Sequence, residues 1–240
     1  MAGRPSDLLS GAEVGGSAFA RVTAFVLWFV VLDALIVLAC VPGFVVSVFL
    51  DRATGNLPLL VLCLLPAGPA VASVLFAWHR RDVEGPDLAP GARFWRGYRL
   101  NLRDVLAWWV PYVLLMALMT FIALNLGAVG WPAEVAWVFA GLALLITLVA
   151  GHLLVVTALF SFRTRDAVRL AAFLAIRHWR VTLADACVLA ALVLVTRWLG
   201  EWVVALVAAL VVFWWLRLAA PVIANLMDEF VDAGDHPDGS

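Results

Sequence analysis

Charge is scarce in this chain. Asp, Glu, Lys and Arg together make up 14% of its 240 residues, against about a quarter in an average soluble domain. The charge that is present balances, 16 basic against 17 acidic residues, so no nucleic-acid partner is expected, which would need a clustered positive surface. Lysine is missing altogether and every basic residue is arginine; with the Ala and Val richness this suggests a GC-rich bacterial genome. Cysteine is rare. Cys40, Cys63 and Cys187 stand in apolar runs without CxxC or Cys/His spacing, which removes support for a metal site. Isolated cysteines of this kind read as buried free thiols, with a Cys40–Cys63 bridge as the alternative. The sequence also lacks H-E-x-x-H, G-x-S-x-G and a Gly-rich phosphate loop, the patterns that carry metalloprotease, hydrolase and nucleotide chemistry. The chain therefore reads as non-enzymatic, with no catalytic residues and no cofactor.

Apolar residues are present in excess. They form 65% of the chain, and the mean hydropathy is +1.03. A soluble fold of this length cannot hide so much apolar surface, so the solvent is lipid. A membrane helix needs about 20 apolar residues, and six runs qualify: Val22 to about Val41, with Leu50 as the alternative end; Leu57–Trp78; Val105–Leu126; Val135–Phe160; Leu183–Leu199; and Trp202–Asn225. The expected fold is all-α, a single six-helix membrane domain over residues 21–228. Residues 1–20 are expected to be a mobile end and residues 229–240 an acidic tail. The first run has a long acid-containing leader and is interrupted by Asp33, which argues against a cleaved signal peptide.

Arginine placement sets the expected orientation. Arg80, Arg81, Arg93, Arg96, Arg99 and Arg103 fall between runs two and three, and Arg163, Arg165, Arg169, Arg177 and Arg180 between runs four and five. The alternate connections hold almost none. Cytoplasmic connections carry the arginine excess, so both basic segments and both termini are expected inside a bacterial cytoplasmic membrane.

The first basic segment, "RFWRGYRLNLRD" at 93–104, sorts by helical periodicity. Arg96, Arg99 and Arg103 gather on one side; Phe94, Trp95, Tyr98 and Leu102 gather on the other. Such a helix suits the headgroup plane, with aromatics inward and arginines on phosphates, or a partner-docking surface. The second, "RTRDAVRLAAFLAIRHWR" at 163–180, is less cleanly divided because Phe173 and Ile176 fall among Arg169, Arg177 and Arg180. That mixture favours burial against protein. Two Arg-rich interfacial helices are the expectation.

"AGPAVASVLFAWHRR" followed by "FWRGYRLNLRDVL" resembles the YesL-like family of bacterial membrane proteins. The matching positions are Gly68, Pro69, Ala70, Phe94, Trp95, Arg96, Tyr98 and Asn101, and Asp33 stands where that family usually has Asn. The clear part covers roughly residues 60–110. The link at 43–57 is longer than the family's. The resemblance implies a six-span protein without assigned catalytic residues, whose genes accompany carbohydrate ABC importers and glycan-degrading enzymes. It is the source of the expected role: an accessory or scaffold component beside such an importer, with the bilayer and ABC subunits as partners. The alternative is a stand-alone or permease-like small-solute transporter, although residues 163–180 do not match the permease coupling motif.

Ionisable groups inside membrane runs are the default functional candidates. Asp33, His152 and Arg217 each lie eleven residues from a marker at the arginine-bearing side, about 16 Å deep at 1.5 Å per residue. One shared polar layer is expected, with Asp33 paired to Arg217 and His152 close by. Pro42-Gly43 and "PAGP" at 66–69 are expected to kink the first two runs.

Overall fold

The computed structural model describes residues 5–51, 53–84, 89–160 and 162–234. Among them the chain is helical with no strand, in the order α1 Pro5–Val48, α2 Leu57–Leu62, α3 Ala67–Glu84, α4 Pro90–Leu124, α5 Val135–Leu159, α6 Thr164–Arg177, α7 Trp179–Leu199 and α8 Glu201–Gly234. Five helical segments are long and apolar enough to cross a bilayer: Val22–Val48, Pro90–Leu124, Val135–Leu159, Trp179–Leu199 and Trp202–Ala224. The bent pair α2 and α3 makes a sixth. Helices satisfy their own backbone groups where no water can. The chain is a polytopic all-α protein, as its apolar runs require.

Helix α3 sits at the centre. From Gly68 to Trp78 it is buried at every position except Val71, and its small residues explain why neighbours come so close. A Cβ on Gly68 would lie 2.5 Å from the Trp109 ring of α4. Around α3 the core joins Trp28 and Leu32 of α1, Phe94 and Trp108 of α4, Leu154 of α5 and Leu216 of α8. Helix α7 is different: Asp185 is its one buried residue. The α7–α8 turn rests on Gly200, whose φ of 96° is open to glycine at little cost.

Residues 93–104 do not form a separate surface helix, because α4 runs unbroken for 35 residues from Pro90 to Leu124, about 52 Å. Phe94, Gly97, Val105 and Trp108 are all buried along it, so the stripe that packs the span continues back through the basic stretch. Phe94 lies in the core rather than in headgroups, while Arg96, Arg99 and Arg103 face outward. Trp95 stays half exposed, with Phe94 and Tyr98 ringed against it.

The second basic segment does form its own helix, α6, but with the opposite face inward. Ala167, Ala171, Leu174 and Ala175 pack inside, whereas Phe173 and Ile176 are exposed beside Arg169 and Arg177. Small side chains won the buried face because they let α6 lie flat on α5.

Helix α1 also passes through Pro42-Gly43 without ending. Gly43 is where the α2–α3 turn presses on it, since a Cβ there would collide with the Cys63 carbonyl. The break falls instead at residues 63–66, where α2 and α3 meet at 46°. Residues 5–20 and 229–234, expected as mobile end and tail, are helical continuations of α1 and α8; residues 1–4 and 235–240 lie outside the described set.

Candidate functional site

The structure separates Asp33 from Arg217. The Asp33 carboxylate accepts a hydrogen bond from the Ala209 backbone N–H of α8 at 3.0 Å. Ala209 precedes Arg217 by two helical turns, so the two side chains sit at levels about 12 Å apart. Arg217 meets Asp82 of α3 instead, at 3.0 Å, and both are substantially exposed. Arg217 thus sits at the level of Asp82, two residues before the end of α3, and not in a layer with Asp33.

Arg217 belongs to an aromatic cap at the arginine-bearing end of the bundle. Its guanidinium lies 4.9 Å from the Phe213 ring centre. Arg81 lies 5.3 Å from Phe25, 5.3 Å from Trp28 and 5.2 Å from Trp78. Cation–π contacts of this kind hold a charged group over an apolar core at modest cost. The Trp78 indole donates to the Ala209 carbonyl at 3.3 Å, so Asp33 and Trp78 grip one residue of α8 from two helices. This reads as architecture rather than chemistry.

His152 finds partners that the sequence reading did not name. Its Nε2 is 2.9 Å from the Thr182 hydroxyl and 3.8 Å from Asp185 Oδ2. The Thr182 hydroxyl already donates to the Ala175 carbonyl at 2.7 Å. It has one proton to give, so it accepts from His152, and Nε2 carries a hydrogen. That fixes the tautomer by network logic. Both His152 and Asp185 are buried. Oδ1 of Asp185 makes no hydrogen bond of ordinary geometry among the described residues, and the Trp215 indole N–H lies near the same carboxylate as a hydrogen-bond donor.

Asp185 opens onto a cavity of about 290 Å³, walled by residues of α1, α3, α4, α5, α7 and α8. Three aromatic side chains line it: Trp109, Tyr112 and Trp215. The remaining polar group is Thr147, which donates to the Ala143 carbonyl at 2.7 Å. The Tyr112 hydroxyl, 2.9 Å from Thr147, is then the donor of that pair. Both hydroxyl protons are consumed in the wall.

Of the three ionisable residues singled out in the sequence, only His152 belongs to this site. Asp185, Thr182 and Trp215 were missed. Starting the fifth span at Leu183 put Asp185 at an interface, whereas the helix begins at Trp179. Of the remaining positions, Arg96, Arg99, Arg103, Arg169, Arg177 and Arg180 point outward. Asn101 donates to the Ala158 carbonyl at the end of α5 at 3.1 Å. The cysteines are free, as expected, but not buried: Cys40 and Cys63 are half-buried and Cys187 is exposed.

The fold and the buried pair together define a polytopic α-helical membrane protein with a half-open, mostly apolar cavity carrying one carboxylate. No family model, curated protein or solved structure matches the chain.

Proposed function

We propose that this is a non-enzymatic integral membrane protein of a bacterial cytoplasmic membrane, acting as an accessory or scaffold component of a carbohydrate ABC-type uptake system. In this reading the arginine-bearing end and both termini face the cytoplasm, following the arginine bias. The observation that supports docking is the outer face of α6. Phe173 and Ile176 stay exposed beside Arg169 and Arg177, with Trp179 and Arg180 following at the start of α7. Aromatic residues and arginine together are what protein interfaces favour. The carbohydrate importer as partner rests on the YesL-like resemblance. Purification of the tagged protein from its native membrane in mild detergent, followed by mass spectrometry, tests it. Recovery of a permease, ATPase or solute-binding protein, lost when Arg169, Arg177 and Arg180 are changed to Glu, is the expected result. Recovery of the protein alone overturns the accessory role.

A second reading, a stand-alone or permease-like small-solute transporter, is favoured by Asp185, with His152 behind it, opening onto the cavity. Solute flux by the purified protein in liposomes is its test.

A further inference from the structure

We infer that the cavity is a binding site for a protonated amine on a small apolar body, its ammonium on Asp185 Oδ1 and its body against Trp109, Tyr112 and Trp215. The inference deepens the solute-handling reading and rests on it; it is independent of the docking surface.

The argument begins with what Asp185 lacks. A carboxylate only 6% exposed on a helix otherwise turned outward is costly inside a membrane. Such groups are tolerated when paired and hydrogen-bonded. His152 approaches Oδ2, and its N–H is already committed to Thr182. Oδ1 makes no hydrogen bond of ordinary geometry among the described residues; the Trp215 indole N–H near the carboxylate brings a neutral donor and no counter-charge. Any donor would satisfy it, and one that also carries positive charge would do so most strongly, because charge-assisted hydrogen bonds exceed neutral ones.

The rest of the wall selects the rest of the ligand. The lining is overwhelmingly apolar, and aromatic rings attract cations through their faces. A sugar is disfavoured, because the Tyr112 and Thr147 protons are spent within the wall and most of its hydroxyls would go unmatched. An anion would face Asp185 directly. No group of three metal-ligating residues exists among the described residues, so His152 and Asp185 alone make a poor cation cage. A quaternary ammonium would enjoy the rings but cannot donate to Oδ1. A protonated amine fulfils both demands.

The same ammonium chemistry occurs in free lipophilic amines and in ethanolamine lipid headgroups. The test uses the full-length protein in nanodiscs of phosphatidylglycerol alone, and of phosphatidylglycerol with phosphatidylethanolamine. Binding of radiolabelled 2-phenylethylamine is measured by equilibrium dialysis, with 2-phenylethanol as the neutral analogue. Saturable amine binding is expected in the first lipid, weakened by about tenfold or more in Asp185→Asn, with no saturable binding of the alcohol. Loss of the amine signal only when phosphatidylethanolamine is present identifies the lipid as a competing occupant and supports the ammonium site. Absence of saturable amine binding in both lipids overturns the inference, as does equal binding by Asp185→Asn. Should that variant fail to fold, equal binding of amine and alcohol by the wild type overturns it alone. Amine binding without flux keeps this site and removes the transport reading. Flux of another solute without amine binding does the reverse.

Discussion

At the scale of single residues, the ionisable groups inside the helices divide by what they touch. Asp33 is held by a backbone N–H, Arg217 by Asp82 and a ring, and Asp185 is partly unsatisfied. The Asp33→Asn and Arg217→Gln changes should therefore be independent in a double-mutant cycle of thermal stability in detergent. Well-separated sites add to within about 0.5 kcal/mol; a larger coupling would restore the Asp33–Arg217 pair. The Asp82–Arg217 pair is exposed, so losing it should cost no more than about 1 kcal/mol. Changing both His152 and Asp185 to Leu should act in the opposite direction. Replacing a whole buried charged pair with apolar residues of similar volume is often neutral or stabilising by about 1–4 kcal/mol. A raised melting midpoint is expected, and a marked fall would mean that the carboxylate is fully satisfied. Here the sequence was only half legible. It disclosed that Asp33 and His152 are intramembrane, because polar letters stand out in apolar runs. Their partners were hidden, because pairing depends on helix levels, and those shift by a turn whenever a helix outruns its charged markers.

At the scale of elements, α4 and α6 show where periodicity suffices and where it does not. Both helices were legible as amphipathic. What covers the apolar face was not, since lipid, headgroup and protein all accept the same side chains. In α4 the answer is protein: Phe94 is fully buried and Trp95 is 43% exposed. Phe94→Ala should destabilise the bundle by about 3–5 kcal/mol, and Trp95→Ala by well under that, measured as unfolding in a denaturing detergent. Similar small effects at both positions would return the stretch to the lipid surface. In α6 the mixed pattern of Phe173 and Ile176 among arginines left the buried face undefined, and the alanines take it, because close helix packing favours small side chains. The bend between α2 and α3 was legible from its prolines. The passage of α1 through Pro42 was not, because a membrane helix can repair that lost hydrogen bond from its surroundings.

At the scale of the whole molecule, one end of the bundle collects Arg81, Arg93, Arg163 and Arg217, and the other collects the connections at 49–56, 125–134 and 199–201. This polarity follows from counting arginines between apolar runs, and so the overall architecture was the most legible feature of all. In intact cells, an impermeant maleimide should label Trp131→Cys but reach Arg99→Cys only after the membrane is opened, in a background with the three native cysteines replaced by Ala. The reverse pattern would invert the molecule.

The spans are also unequal in length. Helix α7 has 21 residues, whereas α5 has 25 and the apolar part of α1 has 27. At 1.5 Å per residue α7 measures about 32 Å, close to the hydrocarbon thickness of an average bilayer. It is pinned by Trp179 and Arg180 at one end and Arg197 and Trp198 at the other, residue types that anchor at interfaces. Longer helices answer a thicker bilayer by standing upright, but a helix that already matches has no tilt left to give up. Lipid chain length thus acts first on the helix that carries Asp185, making bilayer thickness a control on the geometry of the buried pair.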